Sequence, residues 1–249
     1  MLAIIGGSGL SQIDRLSPVR SEQVMTPWDS QAVDVQFFAR GEQHIAFLAR
    51  HGSDSAIPPH RINYRANLWA LKELGVKQVI GINIVGGIHQ RMCPGAYIVP
   101  DQIIDYTHSR AGSFFEDDLE QVTHIDFSFP FSESMRQDLL QRVEVLLARE
   151  TKETTLLGRG VYGCTQGPRL ETAAEIQRLK RDGCDIVGMT AMPEVALARE
   201  LDIDYAMLAL SVNWAAGLTE SVITLDEIGV VVRDGMVLVA DLIDGLLED

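Results

Sequence analysis

Short apolar runs that end in glycine or in polar residues recur along the chain. Such runs are typical of buried strands that lead into tight turns, where glycine permits positive φ and the close approach of a ligand. The clearest strands are predicted at residues 2–5, 45–49, 79–82, 185–188 and 205–212. Three of them lead into Gly6-Gly7-Ser8-Gly9, Arg50-His51-Gly52 and Gly86-Gly87.

Helical periodicity fills several of the intervals between these strands. Between residues 63 and 74 the leucines fall on one helical face, and Gly75 supplies a C-terminal stop. Further helices are predicted at about 171–180, from Pro193 onward and at about 225–247. The alternation predicts an α/β fold, a single domain over residues 1–249 with a mixed, largely parallel central sheet flanked by helices.

Parallel sheets bind ligands beyond the carboxyl ends of their strands. In this chain the predicted strand ends carry Ser8, Arg50-His51, Asn83-Ile84, Met189-Thr190 and Asn213. A separate stretch, from Thr107 to Pro130, is rich in aromatic, acidic and proline residues. It is predicted to be irregular and to form a lid or a subunit contact.

The charge balance narrows the class of ligand. The 249 residues include 21 basic and 35 acidic side chains, which give a formal net charge of -14. Such a surface repels nucleic acid and anionic lipid, so neither is expected as a partner. A small anion would need a local cluster of donors, which makes each strand-end Arg, His or glycine turn informative.

The cysteines and the N-terminus exclude other classes. Cys93, Cys164 and Cys184 are odd in number and far apart, so neither a disulfide framework nor a paired-cysteine zinc site is expected. The apolar run Leu2–Ile5 is too short for a signal peptide or a membrane span. We therefore expect reduced thiols and a cytoplasmic protein.

Each strand-end motif also has a purely structural interpretation. Gly6-Gly7-Ser8-Gly9 would fit a dinucleotide only with a third glycine where Gln12 stands, which leaves a single-phosphate cradle or an ordinary turn. Arg50-His51 suits a tetrahedral oxyanion, and its structural alternative is a surface salt-bridge pair. Thr190 can meet a phosphate oxygen or cap a strand end.

Three further residues are ambiguous in the same way. Glu171 stands where a helix should start, so it is either a functional carboxylate or a first-turn acid favoured by the helix dipole. Asn213 delivers an amide to the sheet edge, or belongs to the turn before Gly217. His124 reads as a solvated loop histidine until another feature places it.

Taken together and in order, these segments resemble the purine nucleoside phosphorylase and methylthioadenosine phosphorylase family. The similar segments are Gly6-Gly7-Ser8-Gly9, Ala49-Arg50-His51-Gly52, the run from Asn63 to Leu71, Gly167-Pro168-Arg169, and the run from Met189 to Glu194. The resemblance covers nearly the whole chain and implies an enzyme that uses inorganic phosphate as a co-substrate. It implies no metal and no organic cofactor.

The resemblance also implies roles for individual residues. Ser8, Arg50, His51 and Thr190 would hold phosphate, with the backbone at Asn83-Ile84 completing the cradle. The residues implied around the nucleoside are Met189 at the ribose, together with Glu171, Asn213, Trp214, Ala215, Leu225, Ile228 and His124. Asn213 and His51 would be the catalytic residues. Family members are commonly trimers, and by position His124 would reach a neighbouring subunit's site.

The chain departs from the pattern of the adenine-specific members at positions that the resemblance places around the purine. Adenine-specific members have threonine where this chain has Asn83, serine at Glu171, and two aspartates within the segment Asn213-Trp214-Ala215. Hypoxanthine has a donor at N1 and an acceptor at O6, whereas adenine presents the opposite pattern. Glu171 can accept from N1–H, and Asn213 can donate to O6 and accept from a protonated N7. These residues predict a 6-oxopurine.

The residues expected near the 5′ position of the ribose distinguish between the remaining candidate substrates. Ordinary purine nucleoside phosphorylases place a histidine near the 5′-hydroxyl, from a segment that corresponds to residues 222–228 and holds no histidine here. Val222, Leu225 and Ile228 would instead wall an apolar pocket for a methylthio group, with Leu225 favoured. The expected reaction is phosphorolysis of a 5′-methylthio nucleoside of hypoxanthine. The alternatives are a methylthioadenosine phosphorylase with relaxed base use, an inosine or guanosine phosphorylase, and a purine-binding protein without catalysis.

Overall fold

A computed structural model describes residues 1–7, 18–116, 121–151, 153–220 and 223–248. Ser8 and Val222, both named above, lie outside these described residues. Within them the predicted α/β fold is confirmed, because a mixed, largely parallel sheet lies between two groups of helices.

The described strands join into one branched sheet. They are β1 Leu2–Gly6, β2 Arg20–Thr26, β3 Asp29–Arg40, β4 Gln43–Ala49, β5 Gln78–Gly87, β6 Tyr97–Ile98, β7 Gln102–Asp105, β8 Leu156–Leu157, β9 Val161–Cys164, β10 Ile186–Gly188 and β11 Asp204–Trp214. The main path runs β2-β3-β4-β1-β5-β10-β9-β7, while β11 pairs with β5 and β6, and β6 with β8. The central pairs β1–β4, β1–β5 and β5–β11 are all parallel.

Helices cover both faces of this sheet. They are α1 Tyr64–Glu73, α2 Glu133–Leu147, α3 Ala173–Arg181, α4 Glu194–Glu200 and α5 Leu225–Leu246, with a 3-10 turn at Pro59–Arg61. Successive strand residues point to opposite faces, so Ala3 and Ile5 of β1 pack into the core beneath α1 and α4. Ile4 packs on the other side, into the core beneath α2 and α5.

Side-chain caps fix where two of the helices begin. Asn63 accepts a hydrogen bond from the backbone N–H of Ala66 at 3.1 Å and caps α1. Thr172 and Glu175 form a capping box at the start of α3. The helix predicted from about Glu171 therefore begins at Ala173, and Glu171 lies before it.

Several elements were absent from the sequence prediction. The hairpin β2–β3 and the helix α2 were missed, as were the short strands β6 to β9. The described part of the stretch 107–130 contains no helix or strand, so its predicted irregularity is confirmed there. Its predicted role as a lid or subunit contact stays a prediction.

The strand β5 changes its neighbour along one edge, and the sheet forks at this place. The pairing of β1 with β5 ends with Ile5 opposite Gly81, and β10 pairs with β5 only at Gly86 and Gly87. Along its other edge, β5 stays paired with β11 throughout. Among the described strands, none therefore borders residues 82–85 on the forked side.

Candidate active site

A cavity of about 520 Å³ lies at this fork. Its walls come from the segments that follow β1 and β4, from β5, from β10 and the residues after it, from the end of β11, from the loop before α3 and from the first turns of α5. The predicted site residues that line it are Arg50, His51, Asn83, Ile84, Glu171, Met189, Thr190, Asn213, Ala215, Leu225 and Ile228. Side chains that are up to 178 positions apart in the sequence, from Arg50 to Ile228, thus meet in one cavity.

Three predicted site residues are not placed in this cavity. Trp214 is half-buried, but it is not part of the cavity wall. His124 is exposed on the irregular stretch and also lies outside the wall. Ser8 is outside the described residues, although its neighbour Gly7 lines the cavity.

Arg50 is buried rather than part of a surface salt bridge. Its side chain is 2% exposed, and its Nε and Nη2 donate to the two carboxylate oxygens of Glu194 at 2.7 and 2.9 Å. Burial disfavours the charged guanidinium, but the attraction of Glu194 outweighs this effect and raises the pKa of Arg50. Arg50 is therefore a fixed cation at the wall of the cavity.

Glu194 is in turn held by a tyrosine. The carboxylate has no exposed surface, and the hydroxyl of Tyr205 donates to its Oε1 at 2.5 Å. The tyrosine fits because position 81 is glycine, where an ideal Cβ would lie 1.9 Å from the Tyr205 hydroxyl oxygen. Burial, followed by the charge of Glu194, raises the pKa of Tyr205 well above its ordinary value, so the phenol stays a donor.

The orientation of His51 follows from one hydrogen bond. Its Nδ1 lies 2.7 Å from the carbonyl oxygen of Ile57, which can only accept, so Nδ1 carries a hydrogen. Burial is the main cause that lowers the pKa of His51 from its ordinary value. In the neutral ring Nε2 then has a free lone pair, which can accept a hydrogen bond from a protonated ligand oxygen.

Asn83 and Thr190 form a buried polar pair beside Arg50. Asn83 Nδ2 donates to Thr190 Oγ1 at 2.7 Å, and Arg50 Nη2 approaches Asn83 Oδ1 at 3.4 Å. Because the threonine oxygen accepts from Asn83, its own O–H remains available to a ligand in the cavity.

The backbone of Ile84 faces the cavity because of the fork. Arg50 Nη1 donates to Ile82 O at 3.2 Å, which shows that the polar groups of Ile82 point to the open edge of β5. Backbone groups alternate along a strand, so the N–H of Ile84 points to the same edge. The predicted strand end at residue 82 is wrong, because β5 continues to Gly87. An open edge, rather than a strand end, exposes these groups.

Glu171 lines the cavity from the loop before α3. Its Oε1 accepts from the hydroxyl of Thr165 at 2.5 Å, while no described residue donates to its Oε2. The first-turn interpretation of this acid is wrong, because Glu175 occupies the first turn of α3. Glu171 is therefore available to a ligand.

Asn213 reaches the cavity through an irregularity in β11. The register with β5 shifts between Ser211 and Asn213, so the strand carries an extra residue there. Asn213 Nδ2 donates to the Trp214 carbonyl at 2.7 Å, which leaves its Oδ1 and one amide N–H available. Asn213 belongs to the strand itself and not to the turn before Gly217.

Apolar side chains of α5 also line the cavity. Leu225, the first residue of the helix, is 82% exposed, and Ile228 is half-buried. The prediction omitted Val232 and Met236, which also line the cavity. Their spacing along α5 could have shown this, because the four residues recur at intervals of three or four positions on one helical face.

Two further kinds of feature are absent from the described residues. No group of three or more His, Cys, Asp and Glu side chains is arranged there to hold a metal ion. None of the helices within the described ranges combines the length and the hydropathy that a membrane span requires.

Comparisons with known proteins agree with this architecture. A sequence profile of the phosphorylase superfamily matches residues 1–248. A probable S-methyl-5′-thioinosine phosphorylase of Pseudomonas syringae pv. tomato is 52% identical, and the match covers 94% of this chain and 93% of that protein. The 6-oxopurine nucleoside phosphorylase of Pyrococcus furiosus is 41% identical, with 91% and 84% covered.

A solved structure extends the similarity to three dimensions. Methylthioadenosine phosphorylase from Schistosoma mansoni, in complex with adenine, superposes with a TM-score of 0.90 at 30% identity and covers 99% of this chain and 90% of its own. The chain belongs to the phosphorylase superfamily and is an enzyme. The resemblance stated from the sequence motifs is thereby confirmed.

Proposed function

We propose that the protein cleaves S-methyl-5′-thioinosine with inorganic phosphate and releases hypoxanthine and 5-methylthioribose 1-phosphate. The observation that carries the proposal is the meeting, in one cavity, of a cationic and hydroxyl-lined end with Glu171, Asn213 and an apolar wall. Relatives that are named for this reaction, such as the Pseudomonas syringae protein, support it.

Phosphate would bind at the end of the cavity next to Arg50. One N–H of its Nη1 has no acceptor among the described residues, and Thr190 and Ile84 line the same cavity. The neutral Nε2 of His51 would accept from the remaining O–H of the phosphate. Ser8 is proposed as a further donor.

The purine would lie between Glu171 and Asn213. The free Oε2 of Glu171 accepts from N1–H of hypoxanthine, and the amide of Asn213 donates to O6 and accepts from N7–H. Adenine would place its own lone pair at N1 opposite the carboxylate. A mispaired buried polar group costs about 1–3 kcal/mol, so the pair disfavours adenine strongly.

The sugar would lie between the two ends. Met189 would contact the ribose, and Leu225 and Ile228, together with Val232 and Met236, would surround the methylthio group. Ala215 would complete the wall beside the purine. Burial of a methyl and a sulfur against this apolar wall is favourable, whereas α5 carries no histidine that could meet a 5′-hydroxyl.

The chemistry needs no covalent enzyme intermediate. A phosphate oxygen forms a bond to C1′ while the C1′–N9 bond breaks and its electron pair moves onto the purine. The leaving base takes up a proton from water at N7, and Asn213 Oδ1 accepts a hydrogen bond from the resulting N7–H. Arg50 stabilises the phosphate, and the positive charge that develops on the ribose is stabilised by the bound phosphate itself. We propose that no metal or organic cofactor takes part.

Phosphate-dependent release of hypoxanthine from S-methyl-5′-thioinosine tests the proposal. We expect release only with phosphate present, and a higher kcat/KM than with methylthioadenosine or inosine. Preference for methylthioadenosine would instead indicate relaxed base use, and preference for inosine an ordinary nucleoside phosphorylase. No release of free base with any of the three would favour a purine-binding protein. Each of these three results would contradict the proposed substrate.

The subunit arrangement is part of the same proposal. We propose a homotrimer in which the exposed His124 reaches a neighbouring subunit's sugar pocket, because this residue lies outside the cavity of its own chain. Light scattering coupled to size-exclusion chromatography should give three chains per particle. A fully active monomer would contradict this arrangement. The proposed location is the cytoplasm, which the unpaired state of Cys93, Cys164 and Cys184 supports.

A further inference from the structure

Thr165 lies directly behind the carboxylate that faces the cavity. It follows β9, and its backbone N–H donates to the carbonyl of Gly188 at 2.8 Å. Its hydroxyl lies 2.5 Å from Glu171 Oε1 and 3.4 Å from the Gly188 carbonyl oxygen. A hydroxyl has one proton, and the shorter distance and the negative charge place that proton on the bond to Glu171.

Glu171 depends on this hydrogen bond for its orientation. The residue lies in the loop before α3, is half-buried, and no other described side chain or backbone group donates to its carboxylate. The terminal torsion of a glutamate is broad, so an unheld carboxylate would rotate within the cavity. With Oε1 bound to Thr165, Oε2 is left as the oxygen available to the purine.

Arg110 in turn fixes the position of Thr165. Its Nη2 donates to the carbonyls of Thr165 at 3.2 Å and Gln166 at 2.7 Å, and its Nη1 donates to the carbonyl of Met189 at 2.9 Å. One guanidinium therefore joins the turn that holds Glu171 to the turn that carries Met189. This contact adds to the pairing of β9 with β10, which joins the same two segments.

We propose that Thr165 is a positioning residue for base selectivity, which holds Glu171 with one oxygen directed at N1–H of a 6-oxopurine. The inference rests on the proposed function and deepens it. Thr165 is not part of the cavity wall, so it acts through Glu171 and not by touching the substrate.

The substitution Thr165→Val tests the inference, because valine keeps the shape and removes the donor. A hydrogen bond to a charged group is lost, so we expect kcat/KM for S-methyl-5′-thioinosine to fall about tenfold or more. Methylthioadenosine, which cannot donate from N1, should change less than about twofold, and so should KM for phosphate. The matched control Thr165→Ser keeps the hydroxyl and should stay within about threefold of the wild type.

A double-mutant cycle with Glu171→Ala separates positioning from a merely structural role. In the Glu171→Ala background, Thr165→Val should have less than about a twofold effect, because the carboxylate to be oriented is gone. Equal losses with both nucleosides and with phosphate would overturn the inference, as would a Thr165→Val enzyme with wild-type kinetics. If the wild-type enzyme releases no hypoxanthine, the proposed function itself fails, which is a different result from either.

Discussion

The proposed phosphate end and the proposed sugar end of the cavity differ in how their side chains are supported. At the phosphate end, Arg50 is 2% exposed and its partner Glu194 has no exposed surface. At the sugar end, Leu225 is 82% exposed at the first position of α5. Glu171 and Asn213, at the purine end, are half-buried, and each makes one side-chain hydrogen bond within the described residues.

This difference in burial suggests that the proposed catalytic groups and the proposed specificity groups depend differently on the folded core. The charged pair and Tyr205 belong to the folded core, so Arg50, which we propose binds phosphate, cannot change without a loss of stability. The groups that we propose select the purine and the 5′ substituent are single, less buried side chains, which can change at little cost to folding. One fold can therefore keep phosphorolysis while its nucleoside changes.

Removal of the charge of Glu194 should have the largest effect on stability. Glu194→Gln leaves Arg50 buried without a counter-charge, and breaking a buried pair from one side costs about 3–5 kcal/mol. Urea denaturation should show this loss in the free energy of unfolding. The control is Glu22→Gln, in an exposed pair with Arg20, which should leave stability unchanged. Equal stability of both variants would show that the phosphate end is not supported by the core.

A change of the purine end should alter selectivity without altering stability. Glu171→Ser combined with Asn213→Asp presents a hydrogen-bond pattern suited to a 6-amino purine. Two mismatches of about 1–3 kcal/mol each should lower the preference for methylthioinosine over methylthioadenosine by about a hundredfold or more. Steady-state kinetics with both nucleosides measures the ratio, and the single variants should give intermediate values. An unchanged preference between the two nucleosides would mean that neither residue determines which purine is bound.

At the sugar end the expected effect is smaller. Leu225→Ala removes part of the apolar wall at an exposed position, so about 1 kcal/mol of binding is lost, and KM for S-methyl-5′-thioinosine should rise about fivefold. The rate with inosine, which has no methylthio group, should change less. Val230→Ala, on the same helix and outside the cavity, is the control and should have no effect. A similar rise in KM for both nucleosides would contradict the assignment of Leu225.

The elements that bring the site together were predictable where local pattern determines them. Arg50, His51 and Thr190 could be named as candidate site residues because an apolar run followed by polar residues predicts the end of a strand, where parallel sheets bind their ligands. The fork in β5 was not predictable, because it depends on where β1 stops and β10 begins, two strands from distant parts of the sequence. The open edge at Ile84 follows from that tertiary arrangement alone.

The helix α2 was missed because the contacts that bury one of its side chains come from distant parts of the sequence. In α2 the buried positions Met135, Leu139 and Val143 recur at every fourth residue, but Arg136 is buried beside them and interrupts the pattern. Its guanidinium pairs with Glu133 one turn earlier, but it also donates to the carbonyl oxygens of Pro100, Val99 and Gly158, and no local pattern reveals these three partners. The pairing of Arg50 with Glu194, 144 positions away, is hidden from local reasoning in the same way.

The smallest expected effect concerns His51, which lies where the phosphate end meets solvent. The pKa of His51 is lowered in the folded state, mainly by burial. As the pH falls from 7.5 through about 6.5, His51 in the unfolded chain therefore takes up a proton before His51 in the folded protein does. The stability that the neutral ring contributes is complete above the unfolded pKa and is lost as the pH falls through the folded pKa.

Urea denaturation of the wild type and His51→Asn over this range tests the sign of the effect. Asparagine can still donate to the Ile57 carbonyl but does not titrate, so the wild type should lose stability relative to the variant on acidification. If the wild type instead gains stability as the pH falls, His51 is more easily protonated in the folded protein. The neutral Nε2 that we assign to phosphate binding would then be wrong, and the phosphate end would carry a second cation beside Arg50.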